Sequence, residues 1–564
     1  MSESITLHWI DWSIIISYIL FSLGVGIYFS KRAASSTEEY FLSGRSLPWW
    51  IVGTSMVATT FAADTPLAIT EFVRGPGIWQ NWFWWNLLMG SLLSVFLFSR
   101  LWRRAEILTD NEILELRYSG KPAAFLRAFK AGYFAILYNF IVMGWVINAM
   151  ASVVSVMLNM DKWTAVWLCV IIALVYAILS GFWGVVVTDL VQFVIAMFGS
   201  IALAIIALNY VGGMEVLLSK LNELLGSDVV TDNTLKFIPP IPDTGVATQT
   251  FWESPFSKFL IFISVMWWSH HGTDGGGYII QRMSSAKNER HALLATLWFN
   301  IAHYALRVWP WIIVAVVSIV MFPIIPAEYS DLGVKAGYPL VMNSLLDPGL
   351  KGILIVSFLA AFMSTIDTHL NWGVSYLIND IYKRFFKPNE SERHYVLVGK
   401  IMTVILMILA AFTALKMQSI SKAWEFIFAM GAGIGLVLIL RWFWWRVNAW
   451  SEITALATSI IITISFEVIA YFQTINNNLE YSLFGSAPSI FGMSLQVHHK
   501  LMIIVPIAIM AWVAVTFLTK PEPMTKLETF YKRVQPGGWW GPVTSSFDHT
   551  MQPVTEGIFI LWLA

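Results

Sequence analysis

Ala58-Thr59-Thr60-Phe61-Ala62-Ala63-Asp64-Thr65-Pro66 lies inside an apolar run from about 48 to 73, and Ser269-His270-His271-Gly272-Thr273-Asp274-Gly275-Gly276-Gly277 lies inside a second, from about 257 to 280. Each run is long enough to cross a bilayer as a helix, which takes about 20 apolar residues. Neither should cross unbroken. Pro66 removes a helix donor and clashes with the preceding turn, and three consecutive glycines disfavour helix strongly. Backbone freed inside a membrane must be satisfied by protein or by a polar cavity. One break alone is as well read as a kink tolerated by neighbouring helices. Two breaks five spans apart, each carrying an acid, point to the paired discontinuous helices of an inverted-repeat transporter.

The rest of the chain has the composition this requires. Of 564 residues, 57% are hydrophobic and 12% charged, with mean hydropathy +0.66. Soluble domains carry about 25% charged residues, so most of this chain needs no water-facing surface. The partner expected is a lipid bilayer. The 29 Trp suit residues at lipid–water boundaries. Net charge is zero, which gives no pointer to nucleic acid, and a single cysteine, Cys169, excludes an internal disulfide. Nothing in the sequence sets an oligomeric state.

Apolar runs fall near 10–30, 48–73, 78–99, 131–158, 163–180, 183–210, 257–280, 293–322, 351–379, 397–415, 424–445, 452–473 and 500–518. They predict an all-α polytopic membrane protein of about thirteen spans: a helix 0, core helices 1 to 10, and helices 11 and 12. The leader is not basic, so the first run reads as a retained helix rather than a signal peptide. Most of the 35 Lys and Arg residues fall on one side of this arrangement. That places the N-terminus outside and 520–556 in the cytoplasm. Arg282, Lys130 and Arg441 count here as cytoplasmic loop residues. The helix-period leucines of 213–225 predict a short external surface helix. The apolar end, 557–564, reads as the start of a further, incomplete span. The division expected is 1–30 for the external end and helix 0, 31–447 for a ten-helix core, 448–519 for two added spans, and 520–564 for a cytoplasmic segment.

Four motifs, in order, resemble the sodium:solute symporter family: Glu39 to Trp50 before core helix 1, Thr188-Asp189-Leu190-Val191-Gln192 in core helix 5, Tyr278-Ile279-Ile280-Gln281-Arg282 closing core helix 6, and Ala361-Phe362-Met363-Ser364-Thr365 leading to Asn379-Asp380-Ile381-Tyr382 in core helix 8. The resemblance implies a five-plus-five inverted-repeat (LeuT-like) core with broken helices 1 and 6. It also implies secondary transport by alternating access, not enzymatic turnover, with Na+ as coupling ion and import of a small-molecule solute at the cell membrane.

Ser364, Thr365 and Thr368 share one face of core helix 8. Close packing of small residues explains that face as well as ion binding does. The resemblance implies a sodium site from the carbonyls of Ala58, Phe61 and Ala361 with the hydroxyls of Ser364 and Thr365. It implies a second, in some members, from Asp189 with Ser364 and Thr368. Asp367 stands where the family often has Ser or Thr, which would strengthen that site or link it to protons. Asp189 also reads as an acid snorkelling to the cytoplasmic interface. Candidate solute residues are Thr60, Asp64, Thr65, Trp84, Ser269, His271, Asp274, Asn300 and His303. Asn300, His303 and Arg307 share a face of core helix 7, and ionisable groups at that depth default to function. Asp274, before three glycines, could instead cap a half-helix. The reading favours a sugar-like or other small polar solute, with a carboxylate or amino acid drawn by Arg307 as the alternative. A channel, a membrane sensor and an intramembrane enzyme are the rival classes. The chain shows no HExxH motif, no nucleophile–base pair and no kinase-sized soluble domain.

Overall fold

The computed structural model describes residues 7–33, 45–107, 109–179, 182–225, 234–242, 248–478, 481, 484, 486–490 and 492–544. The Glu39–Gly44 part of the first motif and the apolar end at 557–564 lie outside these. Helix dominates, and among the described residues the one strand pair, Ser489–Ile490 with Met493–Ser494, is a small hairpin between the last two spans.

Among the described residues, eight helices are long and apolar enough to cross a membrane: Ile78–Ala105, Gly120–Leu158, Thr188–Val211, Glu289–Met321, Leu350–Phe386, Glu392–Lys416, Ala449–Asn476 and Val497–Leu518. These are core helices 2, 3, 5, 7, 8 and 9 and helices 11 and 12. Core helix 10 is a bent pair, Ile420–Met430 and Gly435–Phe443, turned by 45°. Helix 0 and core helix 4 hold the shorter apolar stretches Trp9–Val25 and Lys162–Ile178. Core helices 1 and 6 are broken, so length and composition establish eight or nine of the thirteen expected spans.

The first break separates Trp49–Thr60 (core helix 1a) from Asp64–Arg74 (core helix 1b). Pro66 falls in the first turn of 1b, where its missing N–H has no partner to lose. The second break runs from His270 to Gly276, between Trp267–Ser269 and Gly277–Ser285 (core helix 6b). Gly275 and Gly276 have φ of +127° and +69°, a region that side chains resist. Gly277 serves a different need, because a Cβ there would lie 2.3 Å from the Trp372 ring. The bend of core helix 10 was not foreseen. Gly433, at φ +88°, donates its N–H to Ser269 O at 2.8 Å. A Cβ on Gly435 would stand 2.1 Å from Trp268 O. Glycine thus lets core helix 10 lie directly against the break of core helix 6.

Helix ends buried in lipid or protein need partners for their unpaired backbone groups. Here side chains from other spans and from the loop between core helices 2 and 3 supply them. Asp11 of helix 0 accepts from Gly349 N and Gly352 N at 2.8 and 2.7 Å, capping core helix 8. Glu71 of core helix 1b accepts from Ser421 N at 2.9 Å at the start of core helix 10. Asn148 donates to Ala414 O and Met417 O at the end of core helix 9. Arg117 donates to Arg441 O, Trp444 O and Val447 O at the end of core helix 10. The predicted surface helix is present as Met214–Leu225, with Leu217 and Leu221 buried.

Candidate functional site

Core helix 1a ends on Phe61, whose φ/ψ of −91°/70° takes the chain out of the helix. Its last carbonyls face core helix 8. Thr365 Oγ1 lies 2.8 Å from Thr59 O and 3.0 Å from Ala361 O. Carbonyls at a helix C-terminus carry partial negative charge, and oxygens of this kind suit a hard cation. Ala58 O lies in the same turn, accepting from Phe61 N at 3.0 Å. Of the residues expected to hold sodium, Thr365 and Ala361 therefore meet the end of core helix 1a. Ser364 turns elsewhere and donates to Asp189 Oδ1. Thr59 O joins the group and was not anticipated.

Asp189 does not snorkel; it is fully buried. Its Oδ2 accepts from Ser55 Oγ at 2.5 Å and stands 3.5 Å from Arg282 Nη2. The same guanidinium donates from Nε to Ser55 Oγ at 2.9 Å, and from Nη2 to Thr59 Oγ1 at 2.5 Å and Thr368 Oγ1 at 3.1 Å. This corrects the placing of Arg282 in a cytoplasmic loop. Arg282 lies in core helix 6b, 1% exposed, and puts a fixed positive charge among Asp189, Ser364 and Thr368. The signal available was its position, five residues past three glycines at membrane depth. Asp367 is buried on the adjoining turn of core helix 8.

Both breaks open onto one cavity of about 310 Å3. Thr60, Asp64, Thr65 and Trp84 line it from core helices 1 and 2, His271 and Asp274 from the second break, and His303 from core helix 7. Ser269 and Asn300 do not. Ser269 Oγ faces Met266 O and its carbonyl takes the Gly433 N–H. Asn300 Nδ2 turns back on Thr296 O at 2.8 Å. Local wider-than-α turns help aim the wall. Tyr133–Tyr138 and Ala302–Leu306 are π-helical, a distortion common at functional sites, and Phe134, Tyr138, His303 and Tyr304 line the cavity from them. Sequence reading missed Phe134, Tyr138, Trp145, His270, Trp372 and Trp424, because an aromatic in an apolar span looks the same whether it faces lipid, core or cavity.

At one end, Arg307 donates to Val57 O at 3.4 Å, to His303 O at 3.3 Å and to the His303 ring. Thr60 Oγ1 lies 3.0 Å from His303 Nδ1. At the other end the Asp274 carboxylate is taken. Arg441 Nη2 and, at 3.2 Å, Trp442 Nε1 donate to its Oδ2, and Trp102 Nε1 donates to its carbonyl at 2.6 Å. Arg441 also reaches Glu452 at 3.4 Å, which accepts from Tyr118 OH at 2.7 Å and stands 3.6 Å from Lys130 Nζ. Lys130 and Arg441, counted with the loops by sequence, are buried parts of this network. Asp110, in the loop between core helices 2 and 3, closes the same end with Tyr376. Burial pushes its carboxyl up to about 6.

The family model that matches is that of the sodium:solute symporter family, over residues 40–461. The chain belongs to the sodium:solute symporter family. It is 23% identical over 502 residues to a sodium/glucose cotransporter of Vibrio parahaemolyticus, covering 85% of this chain and 88% of the relative. It is 25% identical over 483 residues to sodium/glucose cotransporter 4 of Danio rerio, covering 81% and 71%. Among solved structures, a Na+-coupled sialic acid symporter in a substrate-bound, outward-open state matches with TM-score 0.67 at 19% identity, over 91% of this chain and 99% of that one. That likeness carries the LeuT-like fold with its broken helices. Membership of this family makes sodium the coupling ion and the protein a multi-pass membrane transporter.

Proposed function

We propose that the protein imports a small polar organic solute together with sodium, by alternating access around the cavity between the two breaks. The observation that carries this reading is the meeting of both discontinuous helices in one cavity, with the carbonyl end of core helix 1a against the Thr365 hydroxyl. A channel has no need of two such breaks. Residues 31–447 would form the transport core, with helix 0 in 1–30, two added spans in 448–519 and a cytoplasmic segment in 520–564. The basic residues support an external N-terminus.

Sodium would bind through Ala58, Phe61 and Ala361 carbonyls and the Thr365 hydroxyl, with Thr59 O beside them. Ser364 would act from the Asp189 side. The second site drawn from Asp189, Ser364, Asp367 and Thr368 already holds the Arg282 guanidinium, which supports coupling to a single sodium ion. The solute would meet Thr60, Asp64, Thr65, Trp84, His271 and His303, with Asp274 at the border as part of the cytoplasmic closure. The sodium/glucose relatives support a sugar-like solute. The cavity's own wall supports a charged one.

A thermal-stability screen of the purified protein against a solute library, in sodium and in potassium, tests this function. The expected result is stabilisation by sodium alone and a larger, sodium-dependent shift with a transported solute. Equal behaviour in the two salts, with every solute inert, contradicts it.

A further inference from the structure

Asp64 is 4% exposed, and among the described residues its Oδ1 has no hydrogen-bond partner and its carboxylate no ion pair. It sits in the first turn of core helix 1b, where its own and the Thr65 N–H groups face the carboxylate, and the Trp424 indole lies beside it. Arg307 is 1% exposed and likewise has no carboxylate partner among the described residues. Its donors go to two carbonyls and a histidine ring, and its guanidinium faces the Phe61 and Trp311 rings at 5.8 and 5.4 Å. Both side chains line the one cavity and attract one another across it without forming an ion pair. Two opposite charges held apart in a shared, poorly solvated space are each left without full compensation.

The remaining wall bears on what would lie between them. Among the described residues it contains no Asn, Gln or Glu side chain. Its groups that both donate and accept are hydroxyls and histidine rings, Thr60, Thr65, His271 and His303 among them. Trp84, Phe134, Tyr138 and Trp145 line it as well, offering faces to an apolar or aromatic body.

We infer that the solute is a zwitterion, with an ammonium group at Asp64, a carboxylate at Arg307 and an apolar or aromatic body against the rings of the cavity wall, as in a free amino acid with an apolar side chain. An amine alone would leave Arg307 uncompensated, an acid alone would leave Asp64, and a sugar would leave both. A zwitterion satisfies both ends while adding no net charge to the membrane interior, so the only net charge moved with it is the sodium ion's. This inference rests on the symport reading of the same cavity.

The test compares probes that share one body and differ in charge. Purified full-length protein in sodium is titrated with L-phenylalanine, L-leucine, phenethylamine, 3-phenylpropionate and D-glucose, reading thermal stability. The expected result is binding of at least one amino acid at least tenfold tighter than the amine, the acid or glucose. Asp64→Asn should reduce the amino acid to the affinity of 3-phenylpropionate, and Arg307→Gln to that of phenethylamine. Binding of glucose, the amine or the acid as tightly as the amino acids overturns the inference, and so does binding of none of the probes. Loss of sodium's own stabilising effect in Asp64→Asn without solute also overturns it, by making sodium the partner of Asp64. If sodium stabilises the wild type and no amino acid binds, the inference fails while the symport reading stands. If sodium itself has no effect, the symport reading fails first.

Discussion

Arg282 Nη2 lies 3.5 Å from Asp189 Oδ2, both side chains fully enclosed, and the pair ties core helix 6b to core helix 5. Ser55 and Thr59 of core helix 1a and Thr368 of core helix 8 complete the cluster. Core helices 1a, 5, 6b and 8 therefore share one buried ion pair. Removing one partner strands the other charge, at a cost of about 3–5 kcal/mol. Asp189→Asn and Arg282→Gln should each lower stability by about that amount. The double variant should cost clearly less than the sum, as a thermal or denaturant double-mutant cycle would read out. Additive losses would mean that the two groups do not interact.

The Thr365 hydroxyl touches the end of core helix 1a, whereas that of Ser364 touches Asp189. Thr365→Val keeps the shape and removes the hydroxyl. It should raise the sodium concentration for half-maximal stabilisation at least tenfold. Ser364→Ala should act mainly on stability, through Asp189, with a smaller effect on sodium. Equal sodium responses in the two variants would remove the distinction.

Asp274 is held by Arg441 and Trp442 at the end of the cavity that Asp110 and Lys130 also line, the end proposed to face the cytoplasm. Asp274→Asn weakens that closure. Cys169, the chain's one cysteine, is buried, so a cysteine placed at the cavity-lining Ser94 gives a clean reporter. A charged maleimide added from the cytoplasmic side should label Ser94→Cys severalfold faster in the Asp274→Asn background. An unchanged rate would show that the Arg441 contact does not restrict access.

Glu71 caps the start of core helix 10 from core helix 1b. Lost caps typically cost about 0.5–2 kcal/mol. Glu71→Ala should destabilise by about 1–2 kcal/mol, the upper part of that range, because Ser419 Oγ and two backbone N–H groups all lean on this carboxylate. A change within error in thermal unfolding would leave the cap without energetic weight.

What was legible in the sequence was what composition and backbone chemistry fix locally. The spans follow from apolar runs, and the two breaks from Pro66 and from Gly275-Gly276-Gly277. The pairing of distant charges was not legible. Arg282 looks like a loop residue until Asp189, 93 positions away, supplies its counter-charge. Core helix 3 was expected from about 131 and begins at Gly120. Arg127 and Lys130 look like loop charges, but Asp380 lies 2.5 Å from Arg127 and Glu452 3.6 Å from Lys130. The bend in core helix 10 depends on contact with Ser269 and Trp268, which no local pattern announces. In the cavity, Asp64, His271 and His303 stood out as polar groups at membrane depth, while the aromatic wall did not.

The most direct test of the central claim is equilibrium binding of radioactive sodium to the purified protein, which needs no knowledge of the solute. One saturable sodium ion per chain is expected, largely lost in Thr365→Val and retained in Asp64→Asn. No saturable binding, or binding indifferent to Thr365, would contradict a sodium site at the junction of core helices 1a and 8.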